Sequence, residues 1–160
     1  MNLGITGHQR LPDPSSWEWV ERSIGETLDQ ISGPLVAVTS LAIGADQLLA
    51  QLVLARGGTV RAILPFEDIE RTFEKDALLE YRRLVNQSDV EVLPPHDTDE
   101  DAYLAAGQRV ADLADVMIAV WDGQPAKGKG GTADIVRYSL ERNVPLVHIN
   151  PVTREVHSSR

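Results

Sequence analysis

The segment Val116–Tyr138, VMIAVWDGQPAKGKGGTADIVRY, carries the strongest chemical signal in the chain. An apolar strand-like run ends at Trp121-Asp122-Gly123. A loop with Lys127, Gly128, Lys129, Gly130 and Gly131 follows, and Thr132 opens a helical pattern. Strand, glycine-rich turn and helix start together form an anion seat. Glycines admit a phosphate close to the backbone, and the first helical N–H groups meet it with the positive end of the dipole. The same residues also suit an ordinary loop with a threonine N-cap. Asp122 and Asp134 are the carboxylates placed for sugar binding or catalysis. Lys127 and Lys129 either screen phosphate charge or serve solubility.

Three other loops add candidates. Thr6, Gly7, His8 and Arg10 follow the first strand, where His8 is either a ligand contact or a solvated turn residue. The run Ser40-Leu41-Ala42-Ile43-Gly44-Ala45-Asp46 follows the second. There the backbone from Ser40 to Ala45, including Leu41, Gly44 and Ala45, is expected to meet the ligand. Asp46 favours the helix dipole, with a ribose hydroxyl as an alternative partner. Pro65 follows the third strand. Trp121 stacks on a base or shields the site, and Gly123, Gly130, Gly131 and Thr132 supply backbone contacts. His8, His96, His148 and His157 show no metal-ligand spacing. Neither a P-loop nor a Gly-x-Ser-x-Gly elbow occurs. No cofactor is expected.

These loops need elements to position them. Strand-like runs at Leu3–Thr6, Leu35–Thr39, Val60–Leu64, Val90–Leu93, Val116–Trp121 and Leu146–Ile149 alternate with five helical patterns. The strands are short and apolar without alternation, as in parallel sheets covered on both faces. The first helix begins at a capping box, Ser15-Ser16-Trp17-Glu18. The second stops at Gly57-Gly58, the third runs from Ile69 to Val85, the fourth follows Asp97–Asp101, and the fifth spans Thr132 to Arg142. Such alternation predicts a doubly wound, three-layer Rossmann-like α/β domain over residues 1–150. Its mostly parallel sheet has about six strands, with the Val90 strand at an edge. A polar tail over 151–160 is expected to fray. In these sheets ligands sit beyond the carboxyl ends of the strands, at the switch in strand order. The loops after strands one, two, three and five should therefore converge.

Composition narrows the partners. The 160 residues fit one domain, 42% are hydrophobic, and cysteine is absent, which excludes disulfides and thiolate chemistry. The net charge of −9 opposes nucleic acid and anionic membrane surfaces, while a small anion in a recessed pocket stays compatible. No apolar run reaches membrane-spanning length, and the N-terminus lacks signal-peptide features, so a cytoplasmic protein is expected.

Gly4-Ile5-Thr6-Gly7-His8, Ser40 through Asp46, Ala62-Ile63-Leu64-Pro65-Phe66, and Ala114-Asp115-Val116 through Gly130-Gly131-Thr132-Ala133 resemble the SLOG superfamily in order and spacing. That group joins DprA-type proteins, Lonely Guy phosphoribohydrolases and nucleotide sensors. The resemblance, over residues 2–150, implies a Rossmann-like fold, a nucleotide-type ligand and a homodimer. The phosphoribohydrolases carry Pro-Gly-Gly-x-Gly-Thr-x-x-Glu. Matching its Gly-Thr to Gly131-Thr132 puts Ile135 at the glutamate, with Asp134 one residue early. Their Arg-Lys pair falls on Ala106-Gly107. Three readings stay open. The chain binds a phosphorylated nucleotide (a nucleoside monophosphate, or an ADP-ribose-like or NAD-derived ligand) as a sensor or binding module. It is a nucleotide N-glycosidase. Or it binds single-stranded DNA as DprA-like proteins do.

Overall fold

A computed structural model of the chain describes residues 1–125 and 131–159. The strands are β1 (Asn2–Gly7), β2 (Val36–Thr39), β3 (Thr59–Leu64), β4 (Ser88–Val92), β5 (Val116–Val120), β6 (Leu146–Asn150) and β7 (Glu155–Ser159). The helices are α1 (Ser16–Asp29), α2 (Ala45–Ala55), α3 (Lys75–Val85), α4 (Asp99–Leu113) and α5 (Thr132–Glu141). The seven strands form one sheet in the order β4-β3-β2-β1-β5-β6-β7, parallel throughout except for the antiparallel β6–β7 pair.

Each face of the sheet buries its own core, which is why the strands are apolar on both sides. One core joins Leu3, Ile5 and Ile118 to Val20, Ile24 and Leu49 from α1 and α2. The other joins Val38, Ile63 and Met117 to Ala106, Val110 and Ile135 from α4 and α5. The result is the three-layer α/β arrangement expected, with β4 at an edge. Strand order reverses between β1 and β5, so the crevice that binds ligands in such folds falls between the loops that follow these strands.

Four local expectations are corrected. The capping box does not form. Ser15 is the N-cap of α1 but makes no cap bond, because its Oγ–H donates to Asp13 Oδ1 at 2.7 Å. The third helical pattern splits into a 3-10 turn, Ile69–Thr72, and α3. Phe73 between them is extended, which stacks its ring on Tyr81 with centroids 4.7 Å apart. The helix after β5 is capped by Gly131, with Thr132 its first residue. The tail does not fray: Asn150 Oδ1 accepts the N–H groups of Val152 and Thr153, turning the chain so that β7 pairs with β6.

Candidate functional site

Two glycines bring the loops at the sheet's carboxyl end together. Gly44 has φ +85° and ψ −126°, a conformation open to glycine alone, and a Cβ there would sit 2.6 Å from the His8 carbonyl oxygen. A Cβ on Gly7 would come within 2.7 Å of the Ala45 side chain and 2.9 Å of Val120. The β1 loop is thereby wedged between the start of α2 and the end of β5. Ala45 N–H donates to the His8 carbonyl and His8 N–H to that of Val120.

The convergence leaves a cavity of about 710 Å³. It is lined by Thr6, Gly7, His8 and Arg10 after β1, and by Ser40 and Asp46 after β2. Pro65 after β3 joins them, as do Trp121, Asp122, Gly131 and Thr132 around the β5–α5 connection. The four loops expected to converge do so, and Pro151 and Val152 after β6 join them. Leu41, Gly44, Ala45, Gly123 and Asp134 do not line this cavity. Leu41 and Ala45 are fully buried in the core. Asp134 instead accepts from Arg137 at 3.0 Å, within the first turn of α5. Lys127 and Gly130, together with Lys129, lie outside the described residues.

The β2–α2 connection engages part of its own backbone. Three of its donors are used: Leu41 N–H by Thr39 Oγ1 at 3.1 Å, Ala42 N–H by Asp46 Oδ2 at 3.4 Å, and Ala45 N–H by His8. Asp46 does not cap α2 in the usual sense either, since Gly44 is the N-cap. Its side chain reaches back to the preceding loop and faces the cavity. Desolvation by the surrounding protein pushes this carboxyl up to about 7, opposed in part by hydrogen bonds from Ala42, Thr39 and Ser40.

The start of α5 differs. Asp134 and Ile135 N–H groups close onto the Gly131 carbonyl. Among the described residues, no protein group accepts from the N–H of Thr132 or Ala133, and both residues line the cavity. These are the orphan donors of a helix start at the edge of the cavity.

The turn after β5 is braced from both neighbouring strands. Asp122 N–H donates to His8 Nε2 at 3.1 Å, so His8 carries its proton on Nδ1. Gln124 N–H donates to Asp122 Oδ1 at 2.9 Å. Trp121 Nε1–H donates to the Gln124 carbonyl, while His148 on β6 hydrogen-bonds the Trp121 carbonyl at 2.8 Å. His148 is thus a positioning residue for the turn.

The opposite wall is apolar and was missed from sequence. Phe73, Tyr103, Ala106, Gly107, Val110 and Ile135 supply it. Helices α4 and α5 touch closely at Gly107, where a Cβ would clash with Ile135 Cδ1. The helical spacing of Tyr103, Ala106, Gly107 and Val110 was the available signal, because i, i+3, i+4, i+7 places them on one face.

No family model matches the chain, and no curated protein matches it by sequence. Among solved structures, DNA processing protein A (DprA) from Streptococcus pneumoniae is similar at 17% identity and a TM-score of 0.68, over 93% of this chain. The chain spans half of the DprA chain's length. The protein TM1055 is similar at 18% identity and a TM-score of 0.54, over 91% of this chain and 71% of that one. What the chain shares with both is the Rossmann-like α/β fold that the SLOG resemblance implies.

Proposed function

We propose that the protein binds a phosphorylated nucleotide-type small molecule, as a sensor or binding module. The phosphate rests on the Thr132 and Ala133 amides at the start of α5. The sugar lies among Thr6, His8, Asp46 and Asp122, and the base packs on the apolar wall. One observation carries the choice of binding over hydrolysis. The positions that the resemblance matches to the phosphoribohydrolases' Arg-Lys pair and glutamate are Ala106, Gly107 and Ile135, and all three line the cavity as apolar surface. Glycosidic cleavage of that type has no charged group at those places. The described wall holds one fixed cation, Arg10, which suits a ligand with few phosphates.

A thermal-shift panel of AMP, CMP, GMP, UMP, NAD and ADP-ribose tests this. A nucleotide at a hundred times its Kd adds about 2.7 kcal/mol, or roughly 5–10 °C in a domain of this size. Thr132→Glu places a carboxylate at the phosphate seat and removes the shift while leaving circular dichroism unchanged. A panel in which no compound moves the melting temperature would falsify the reading.

A second reading, nucleotide N-glycosidase, draws on Asp46. Two carboxylates in unlike surroundings within one cavity, Asp46 and Asp122, are the pattern of an acid and a base. Asp134, turned to Arg137, takes no part in it. Chromatography for free base after incubation with the same nucleotides separates this from binding alone.

A further inference from the structure

Asp46, placed beside the sugar above, is the least solvated carboxyl bordering the cavity. It lies in the first turn of α2, beneath the loop that carries Ser40 and Ala42, and among the described residues it forms no ion pair. The other ionisable groups reaching the cavity are His8 and Arg10 after β1, Glu74 ahead of α3, Tyr103 on α4, and Asp122 after β5. Arg10 is 3.9 Å from Glu74, and His8 is 3.5 Å from Asp122. The described wall therefore sets three carboxyls against one guanidinium and one neutral imidazole. An anionic ligand adds negative charge to a recessed site where water screens weakly. Neutralising the carboxyl that is already most desolvated is the least costly response.

We propose that Asp46 is a recognition residue that takes the anionic ligand together with one proton, binding it as a neutral acid whose O–H donates to the ligand. This rests on the binding reading above and adds to it a specific group and a stoichiometry. The charge Asp46 loses no longer repels the phosphate, and the O–H it gains contacts a ligand oxygen or ring nitrogen. Because burial, opposed by hydrogen bonds from Ala42, Thr39 and Ser40, brings Asp46 to about 7, the free protein is mostly ionised there at pH 8 and must acquire the proton on binding.

Isothermal titration of the full chain with AMP, CMP, GMP and UMP at pH 8, in two buffers of unlike ionisation enthalpy, counts protons directly. The nucleotide that binds is expected to bring in about 0.9 proton. Its affinity is expected to fall about fiftyfold from pH 7 to pH 9, a window in which the phosphate stays dianionic. Asp46→Asn, which still accepts from Ala42, binds with no proton uptake and no such slope. Binding without uptake in the wild type, or uptake that persists in the Asn variant, overturns this inference and leaves the binding reading standing. Absence of binding by any of the four at either pH overturns both. Should the variant fail to fold, the wild-type proton count decides.

Discussion

Asp46 has a cost in the ligand-free protein. Its carboxyl moves from 3.8 in the unfolded chain to about 7 in the fold, so the native state binds a proton that the unfolded state releases in between. Its contribution to stability is complete below pH 4, declines as pH rises from 4 to 7, and is lost above 7. Asp46→Asn should therefore leave stability near pH 4 almost unchanged and raise it above pH 7 by on the order of 2 kcal/mol, allowing for the group's partial exposure. Urea unfolding at pH 4.5 and pH 8 measures the difference, and equal effects at both would contradict the assignment. The aspartate was visible in the sequence as a residue near a helix start. Its unusual titration was not, because that comes from burial in the folded chain. His8 illustrates the same limit. Its neighbour Asp122 is 114 residues away, and only the β1–β5 pairing makes them adjacent.

Among the elements, the six parallel strands left runs whose boundaries fell within two residues of the structure, plainest where both faces are buried and weakest at the exposed edge strand β4. The seventh strand did not. Glu155–Ser159 is exposed along its whole length, and its partner is backbone on β6, which leaves no apolar mark on the sequence. The loop after β2 was legible as glycine-bearing, but the packing role of its glycine was not. Gly44 admits the close approach of the His8 and Gln9 backbone. Gly44→Ala should cost roughly 3 kcal/mol through strain and displacement of the β1 loop, seen as a lower urea midpoint with unchanged slope. Gly123→Ala, where a Cβ meets nothing within 4 Å but φ is +84°, should cost only about 1 kcal/mol. If the two glycines prove equally sensitive, the wedge between β1 and α2 is not what holds the cavity open.

For the whole molecule, the arginines decide what the acidic surface can meet. Arg56, Arg61, Arg71, Arg82, Arg83 and Arg109 each donate to a carboxylate, and Arg61 and Arg109 share Glu91 between them. These six of the described arginines are thus engaged within the protein, and the chain is acidic overall at −9, which opposes a phosphate backbone. Single-stranded DNA should therefore migrate unretarded beside the protein at 50 mM salt. Retardation that moderate salt reverses would restore a DprA-like role.

Trp121 has a use beyond shaping the cavity. Of the three tryptophans, Trp17 and Trp19 belong to α1, whereas Trp121 borders the space assigned to the ligand and is tied through its indole N–H to the Gln124 carbonyl three residues later. Replacing the α1 pair by phenylalanine would leave a single emitter at the mouth of the pocket. Its quenching or spectral shift would then report occupancy in real time, without a label and without any turnover.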